Sequence, residues 1–457
     1  MKAILVAIFT IMIASPVVIS QTSDAALRRV INADSAAKAA NDGKLPNLAA
    51  SEHLSRAETY MANRLFPEAR EHWSAVLRDH SQDPGVPKAL FGTARSFMWE
   101  REYLKAVEWF DRLLADHAMT KEGREGLAFK GASYVRAGRN LEAAKTYEQY
   151  TVMFPQGERI ESAYLNIIDA YREAGEYSNA EEWIERAARD FPGRSTEANA
   201  LQARVRMELF RGRWADAVAA ADRMLAIRSF AGSMTSADEG RFLKALALEK
   251  LGRRSEAQAA FSSIPNTPTS YFGGLSADRV EGSSVRKIVQ SSPRLLAEYP
   301  APFSSLVLKH AKKQRIDPRF VLAIMKQESS FRPGAKSPAG ARGLVQLVFD
   351  TAIKYKDEAG YRNLQPDELY DPETNIAIGS IYIRKIKDEF GGLYEAVAAS
   401  YNAGEDNAAR WLRRTSPKEP GVFAAEVGFA ETKNYVFKVM NNYRIYRELY
   451  TEDLRQK

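Results

Sequence analysis

The chain has 457 residues, 45% of them hydrophobic, a formal charge of +7 and no cysteine. That length exceeds one ordinary core and predicts two or more domains. Without thiols, and with five scattered histidines, no metal site and no cofactor are expected. The modest positive excess suits an anionic polymer but supplies no concentrated patch for nucleic acid.

The first residues, MKAILVAIFTIMIASPVVIS, place Lys2 ahead of an apolar run broken by Pro16. Val18 and Ser20 stand at −3 and −1 to a cut before Gln21. This predicts a secretory signal peptide over 1–20, hence an exported protein with no integral membrane segment after cleavage. No other stretch is long and apolar enough to span a bilayer. A cysteine-free exported chain must be held by burial, and it lacks the cysteine that lipidation at a cleavage site requires.

Alanines then mark a period. Ala69, Ala106, Ala143, Ala180 and Ala217 follow one another at 37 residues, and Ala257 comes 40 later. Each stands among large apolar residues at helical spacing, as in FPEAREHW and YLKAVEWF. A small residue there lets a paired helix approach, while Trp73, Phe110 and Trp183 read as core. Turns such as RAGRN, EAGEY and FRGRW precede these helices. The pattern predicts a superhelix of helix–turn–helix units over 21–265, resembling tetratricopeptide repeats with a slightly long period. A Pro-, Gly- and Ser-rich stretch, SIPNTPTSYFGGLSADRVEGSS, predicts a linker over 266–299.

From about residue 300 the pattern is helical again. Asp317-Pro318 reads as an N-cap followed by proline at the first helical position. The helix it opens buries Phe320, Val321, Ile324 and Met325 and reaches its last turn at Glu328. The negative end of the helix dipole and partial burial both raise a carboxyl pKa, which is what a general acid needs. The loop that follows carries Gly334, Gly340 and Gly343, so another chain can approach the carboxyl closely. Ser337 and Gln346 offer neutral hydrogen bonds of the kind that read sugar hydroxyls. Further on, DPETNIAIGSIYIRKI predicts a helix from about Pro372, with Gly379 permitting close packing. EAVAASYNAG places Tyr401 and Asn402 at the end of an apolar helix stopped by Gly404, and ETKNYV opens the last helix.

Taken in order, Glu328-Ser329, SPAGARGLVQL from Ser337, Asn375 with Gly379, SYNAG from Ser400 and ETKNYV from Glu431 resemble the motif set of the soluble lytic murein transglycosylases. The linker YFGGLSADR is similar to that family's connection between superhelix and catalytic domain. The resemblance implies an all-α chain: the superhelix, then a lysozyme-like helical catalytic domain over 300–457. It implies cleavage of the β-1,4 bond between N-acetylmuramic acid and N-acetylglucosamine in peptidoglycan, in the periplasm, with glycan strands as the partner. Cell-wall enzymes are candidate partners of the repeats. The family's catalytic acid maps onto Glu328, and its groove residues onto Ser337, Gln346, Tyr401, Asn402 and Glu431.

Two places depart from the family pattern. Val345 stands for the usual Met of G-L-M-Q, and Val348-Phe349 for the Met-Pro that follows; neither removes a proton-transfer group. The remaining carboxylates decide the expected mechanism. Asp350, Asp357 and Glu358 read as a solvated helix face, and Glu431 as a residue that holds the groove. With one acid, the substrate's own C6 hydroxyl becomes the expected nucleophile, giving a 1,6-anhydro sugar. The alternatives are a lysozyme-type hydrolase and a non-catalytic scaffold that binds peptidoglycan.

Overall fold

The computed structural model describes residues 19–280, 293–337 and 340–457. The expected signal peptide lies almost wholly outside these residues, as do 281–292 of the expected linker and Pro338 and Ala339 of the glycine-rich loop. Among the described residues the regular structure is helical, apart from isolated bridges in that loop and near the C-terminus. None of the described helices is long and apolar enough to cross a membrane. The chain divides into two compact units between Asp190 and Phe191.

The unit before Phe191 is built of helix pairs. Ala50–Ala62 packs with Phe66–Asp79, Val86–Trp99 with Tyr103–His117, Lys121–Arg136 with Asn140–Met153, and Ile160–Ala174 with Tyr177–Asp190. Ala69, Ala106, Ala143 and Ala180 occupy the fourth position of the second helix in each pair and are fully buried. Trp73, Phe110 and Trp183 fill the core beside them. An N-terminal helix, Ile19–Ala40, joins this unit through Asp34, whose carboxylate accepts from Arg56 and Tyr60 and lies 2.9 Å from His72 Nε2.

The turn inside each pair has the same register. Arg64, Arg101, Gly138 and Gly175 all have positive φ, at 62°, 65°, 74° and 79°, one repeat apart. A left-handed residue there reverses the chain and lets the second helix begin two residues later. Arginine tolerates the conformation at a cost; glycine adopts it freely.

The unit from Phe191 onward starts with two more pairs, Ser195–Phe210 with Trp214–Leu225 and Ala237–Lys250 with Arg254–Ser262. Ala217 and Ala257 are buried as in the earlier pairs. The segment Tyr271–Ala277 is helical and lies on the last helix, Ala430–Leu449: Tyr271 stacks on Phe437 at 4.8 Å and Asn441 Nδ2 donates to the Thr269 carbonyl at 2.8 Å. Gly421 faces the Phe242 ring so closely that a Cβ would come within 2.2 Å of it. The rest of the unit is a small helical domain around Pro318–Ser329, Pro372–Glu389, Tyr394–Ala403 and Ala430–Leu449.

The repeated turn carries a test. Nothing lies within 4 Å of a Cβ built on Gly175, so Gly175→Ala adds only backbone strain. Its expected cost is about 1 kcal/mol, read as a lower denaturant midpoint with unchanged slope.

Candidate active site

Pro318–Ser329 is capped by Asp317, whose side chain accepts from the Arg319 amide at 2.9 Å and from Tyr443 Oη at 2.8 Å. Phe320, Val321, Ile324 and Met325 are all fully buried, which fixes the rotation of this helix and the direction in which its last turn points. Glu328 sits in that turn, half-buried. Tyr435, from the last helix, donates its hydroxyl to Glu328 Oε1 at 2.5 Å. Burial pushes the Glu328 carboxyl up to about 7, and the Tyr435 bond, which favours the charged form, opposes it. Because Oε1 accepts from Tyr435, the proton of the acid form belongs on Oε2.

The glycine-rich loop is anchored to this helix end. Ser329 Oγ lies 2.7 Å from the Leu344 carbonyl and 3.1 Å from that of Met325, joining loop to helix. Asn375 is the central pin: its Oδ1 accepts from the Val345 amide at 2.9 Å, and its Nδ2 donates to the carbonyls of Arg342 and Leu369 at 3.0 and 2.8 Å. Gly343, with φ of 81°, passes so close that a Cβ would stand 2.2 Å from the Leu369 carbonyl oxygen. One turn after Asn375, a Cβ on Gly379 would meet Val345 Cγ2 at 2.5 Å. Val345 is therefore the packing partner of Gly379, and its carbonyl accepts from Tyr401 Oη at 2.7 Å.

Tyr401 ends a row of aromatic rings. Tyr355, Tyr382 and Tyr401 form a row with successive ring centroids 5.7 and 5.2 Å apart. The Glu328 charge contributes to raising the pKa values of both Tyr401 and Tyr435, so the three groups share one electrostatic environment. A protonated carboxyl that accepts from one phenol, at the helix end to which the glycine-rich loop is anchored, can donate a proton to a neutral oxygen and take one back.

Residues 305–422 match the family described as the transglycosylase SLT domain, residues 54–118 a tetratricopeptide repeat, and residues 124–301 a family described as outer membrane lipoprotein. The C-terminal helical domain is thus similar to the transglycosylase SLT family. The soluble lytic murein transglycosylase of Escherichia coli K12 is 34% identical over 153 residues, 33% of this chain and 23% of that protein. The membrane-bound lytic murein transglycosylase C of Yersinia pestis is 30% identical over 182 residues, 35% of this chain and 51% of that protein. The chain thus spans only about a quarter to a half of these curated relatives. In fold, it is similar to the 70-kDa soluble lytic transglycosylase of Escherichia coli, with a TM-score of 0.51 and 18% identity, covering 93% of this chain and 85% of that one. A complex of the 70-kDa soluble lytic transglycosylase with bulgecin A gives a TM-score of 0.52 at 19% identity, over 96% of this chain and 87% of that one.

The residues singled out from sequence take different places. Glu328 and Tyr401 share one environment. Gln346, at φ of 50°, donates through Nε2 to the carbonyls of Gly343 and Ala335 at 2.8 and 3.1 Å and so braces the loop. Ser337 Oγ accepts from the Ala341 amide at 3.0 Å. Asn402 is exposed and its Oδ1 accepts from Thr432 Oγ1 at 2.7 Å. Glu431, next to Thr432, is exposed on the first turn of the last helix. Asp350, Asp357 and Glu358 are exposed, with Glu358 paired to Arg384. Tyr435 and Tyr382 were not singled out from sequence. Tyr435 stands inside ETKNYV, but nothing local to it announces a bond to a residue 107 positions earlier.

The burial of Glu328 is testable through stability alone. Between its ordinary value of 4.5 and about 7, the folded chain keeps a proton that the unfolded chain has lost. Stability therefore falls as pH rises through that window and levels off above it. Glu328→Gln removes this dependence, so it is expected to be more stable than the wild type at pH 8, by at most about 3 kcal/mol, and no more stable near pH 4. Thermal unfolding of both proteins across that range measures it.

Proposed function

We propose that this protein is a peptidoglycan lytic transglycosylase, exported to the periplasm, that cleaves the β-1,4 bond between N-acetylmuramic acid and N-acetylglucosamine. In this reading residues 300–457 are the catalytic module, 266–299 its connection and 21–265 a superhelix that meets glycan strands. The observation that carries it is Glu328: a carboxyl kept protonated near neutrality by burial, oriented by Tyr435, in a domain similar to the transglycosylase SLT family.

The chemistry follows from one carboxyl. Glu328 Oε2–H donates its proton to the glycosidic oxygen as the bond from that oxygen to C1 of muramic acid breaks. The sugar's acetamido oxygen stabilises C1. The resulting Glu328 carboxylate, held by the Tyr435 hydroxyl, takes the proton of the C6 hydroxyl while O6 closes on C1. The products are a free 4-hydroxyl and a 1,6-anhydro sugar; Glu328 is protonated again and no water is consumed. The tethered hydroxyl has the advantage of any intramolecular attack. Ser337, Gln346, Tyr401, Asn402 and Glu431 are the proposed groove residues, with Gln346 and Ser337 shaping the loop against which the strand lies.

Glu328→Gln keeps shape and hydrogen bonding but removes the acid, so turnover on purified sacculi is expected to fall by at least ~10²-fold with the fold intact. Digestion by the wild type in heavy-oxygen water is expected to yield unlabelled muropeptides ending in 1,6-anhydro-muramic acid. Labelled products with reducing ends would instead establish a hydrolase, and no turnover at all would leave only a scaffold.

The pH profile tests Tyr435. Activity that needs protonated Glu328 declines as pH rises through about 7. The Tyr435 bond lowers the Glu328 pKa, so Tyr435→Phe raises it and moves that alkaline limb to higher pH. A limb that moves to lower pH, or does not move, contradicts the assignment.

A further inference from the structure

The stretch from Glu426 to Lys433 leaves the short helix Pro420–Glu426, runs extended through Val427, Gly428 and Phe429, and enters the last helix. It carries Glu431 and Thr432, and Thr432 bonds Asn402. Both of its ends are buried ions. Glu426 is fully buried and accepts from Arg206 Nη1 at 2.7 Å, with Arg414 Nε 3.2 Å away. Lys433, 3% exposed, lies 2.8 and 2.9 Å from the two carboxylate oxygens of Glu239, itself 1% exposed. Gln202 completes the set, donating to Glu239 at 2.6 Å and to the Ala425 carbonyl at 3.0 Å.

Arg206 and Gln202 belong to the repeat helix Ser195–Phe210, and Glu239 to the repeat helix Ala237–Lys250. Neither ion of the segment is satisfied by the small helical domain alone: Lys433 depends on a repeat carboxylate, and Glu426 shares its charge between Arg206 and Arg414. A buried ion pair contributes little net stability compared with apolar packing, but it tolerates only one geometry. Two such pairs, one at each end of a short extended segment, fix its path.

We propose that these two repeat helices clamp the groove segment 426–433, and that Arg206, Glu239, Glu426 and Lys433 are positioning residues for glycan binding. This deepens the functional reading above, on which the glycan part rests. Through Thr432 the clamp also sets Asn402, whereas Glu328 keeps its own helix and its own partner in Tyr435. The clamp therefore acts on substrate binding rather than on the proton transfer.

The test uses the full-length protein and three variants: Lys433→Met, Lys433→Arg, and the double change Glu239→Gln with Lys433→Met. Hydrogen exchange followed by mass spectrometry reads the segment without any substrate. Backbone amides of 427–432 are expected to exchange at least about tenfold faster in Lys433→Met and in the double variant, while Lys433→Arg stays near wild type. On glycan strands Lys433→Met and the double variant should raise KM severalfold and leave the alkaline limb of kcat unmoved, while Lys433→Arg stays near wild type. The double variant removes both charges and so recovers much of the thermal stability that Lys433→Met loses. If exchange and KM recover along with its stability, the pair is only structural and the proposal falls. Unchanged protection of 427–432 in every variant also overturns it. Loss of turnover in the wild type would instead strike the functional reading, since the exchange result stands without activity.

Discussion

A carboxyl group removed from water must keep its proton, meet a cation or regain solvent. Glu328 takes the first course, and the architecture of the domain follows from keeping it there. A cation near Oε1 would favour the carboxylate and pull the pKa down. The group that faces it instead is a neutral phenol, which donates one hydrogen bond and supplies no charge. Asp317, Tyr443 and the buried apolar face hold the helix, so the carboxyl is presented at a defined place rather than on a frayed end.

The same unit contains two other carboxyls under the same constraint. Glu239 lies 2.8 Å from the Lys433 ammonium nitrogen, both groups being buried. Glu395 is buried at 3% exposure, accepts from Tyr271 at 3.1 Å, and is pushed by burial to about 7, like Glu328. A raised pKa by itself would nominate both residues. Access separates them: Glu395 is enclosed between Tyr394–Ala403 and the Tyr271 segment, while Glu328 is only half-buried, at the helix end to which the glycine-rich loop is anchored. The functional distinction thus lies in what can reach the proton, not in how tightly it is held.

Periodicity made much of this legible in sequence. The alanine period located the second helix of each pair, since burial of a small residue at a fixed helical position recurs with the repeat. Asp317-Pro318, Pro372 and Gly404 marked helix ends because capping is local chemistry. The loop was legible as small and tight, but not the reason for its shape. That reason is Asn375, which bonds Val345, Arg342 and Leu369 at once, and no local pattern distinguishes such an asparagine from a surface one. Tyr435 was hidden in the same way, as was the packing of Val345 into the space left by Gly379. Contacts across long sequence separations are set by tertiary packing, which periodicity does not encode.

Motif resemblance has a related blind side. It assigns roles to the letters that the family shares and is silent on those between them. In ETKNYV, the glutamate is exposed, whereas Lys433, which lies between the shared letters, carries the buried pair with Glu239. The intervening letters can therefore tie a shared catalytic geometry to the particular repeats that accompany it. A lysine at such a position is costly to bury unless its carboxylate partner is already in place, so helix Ala237–Lys250 and the last helix constrain each other's sequence. That mutual constraint lets the last repeats set the path of residues 426–433, although their own motif is one of packing alone.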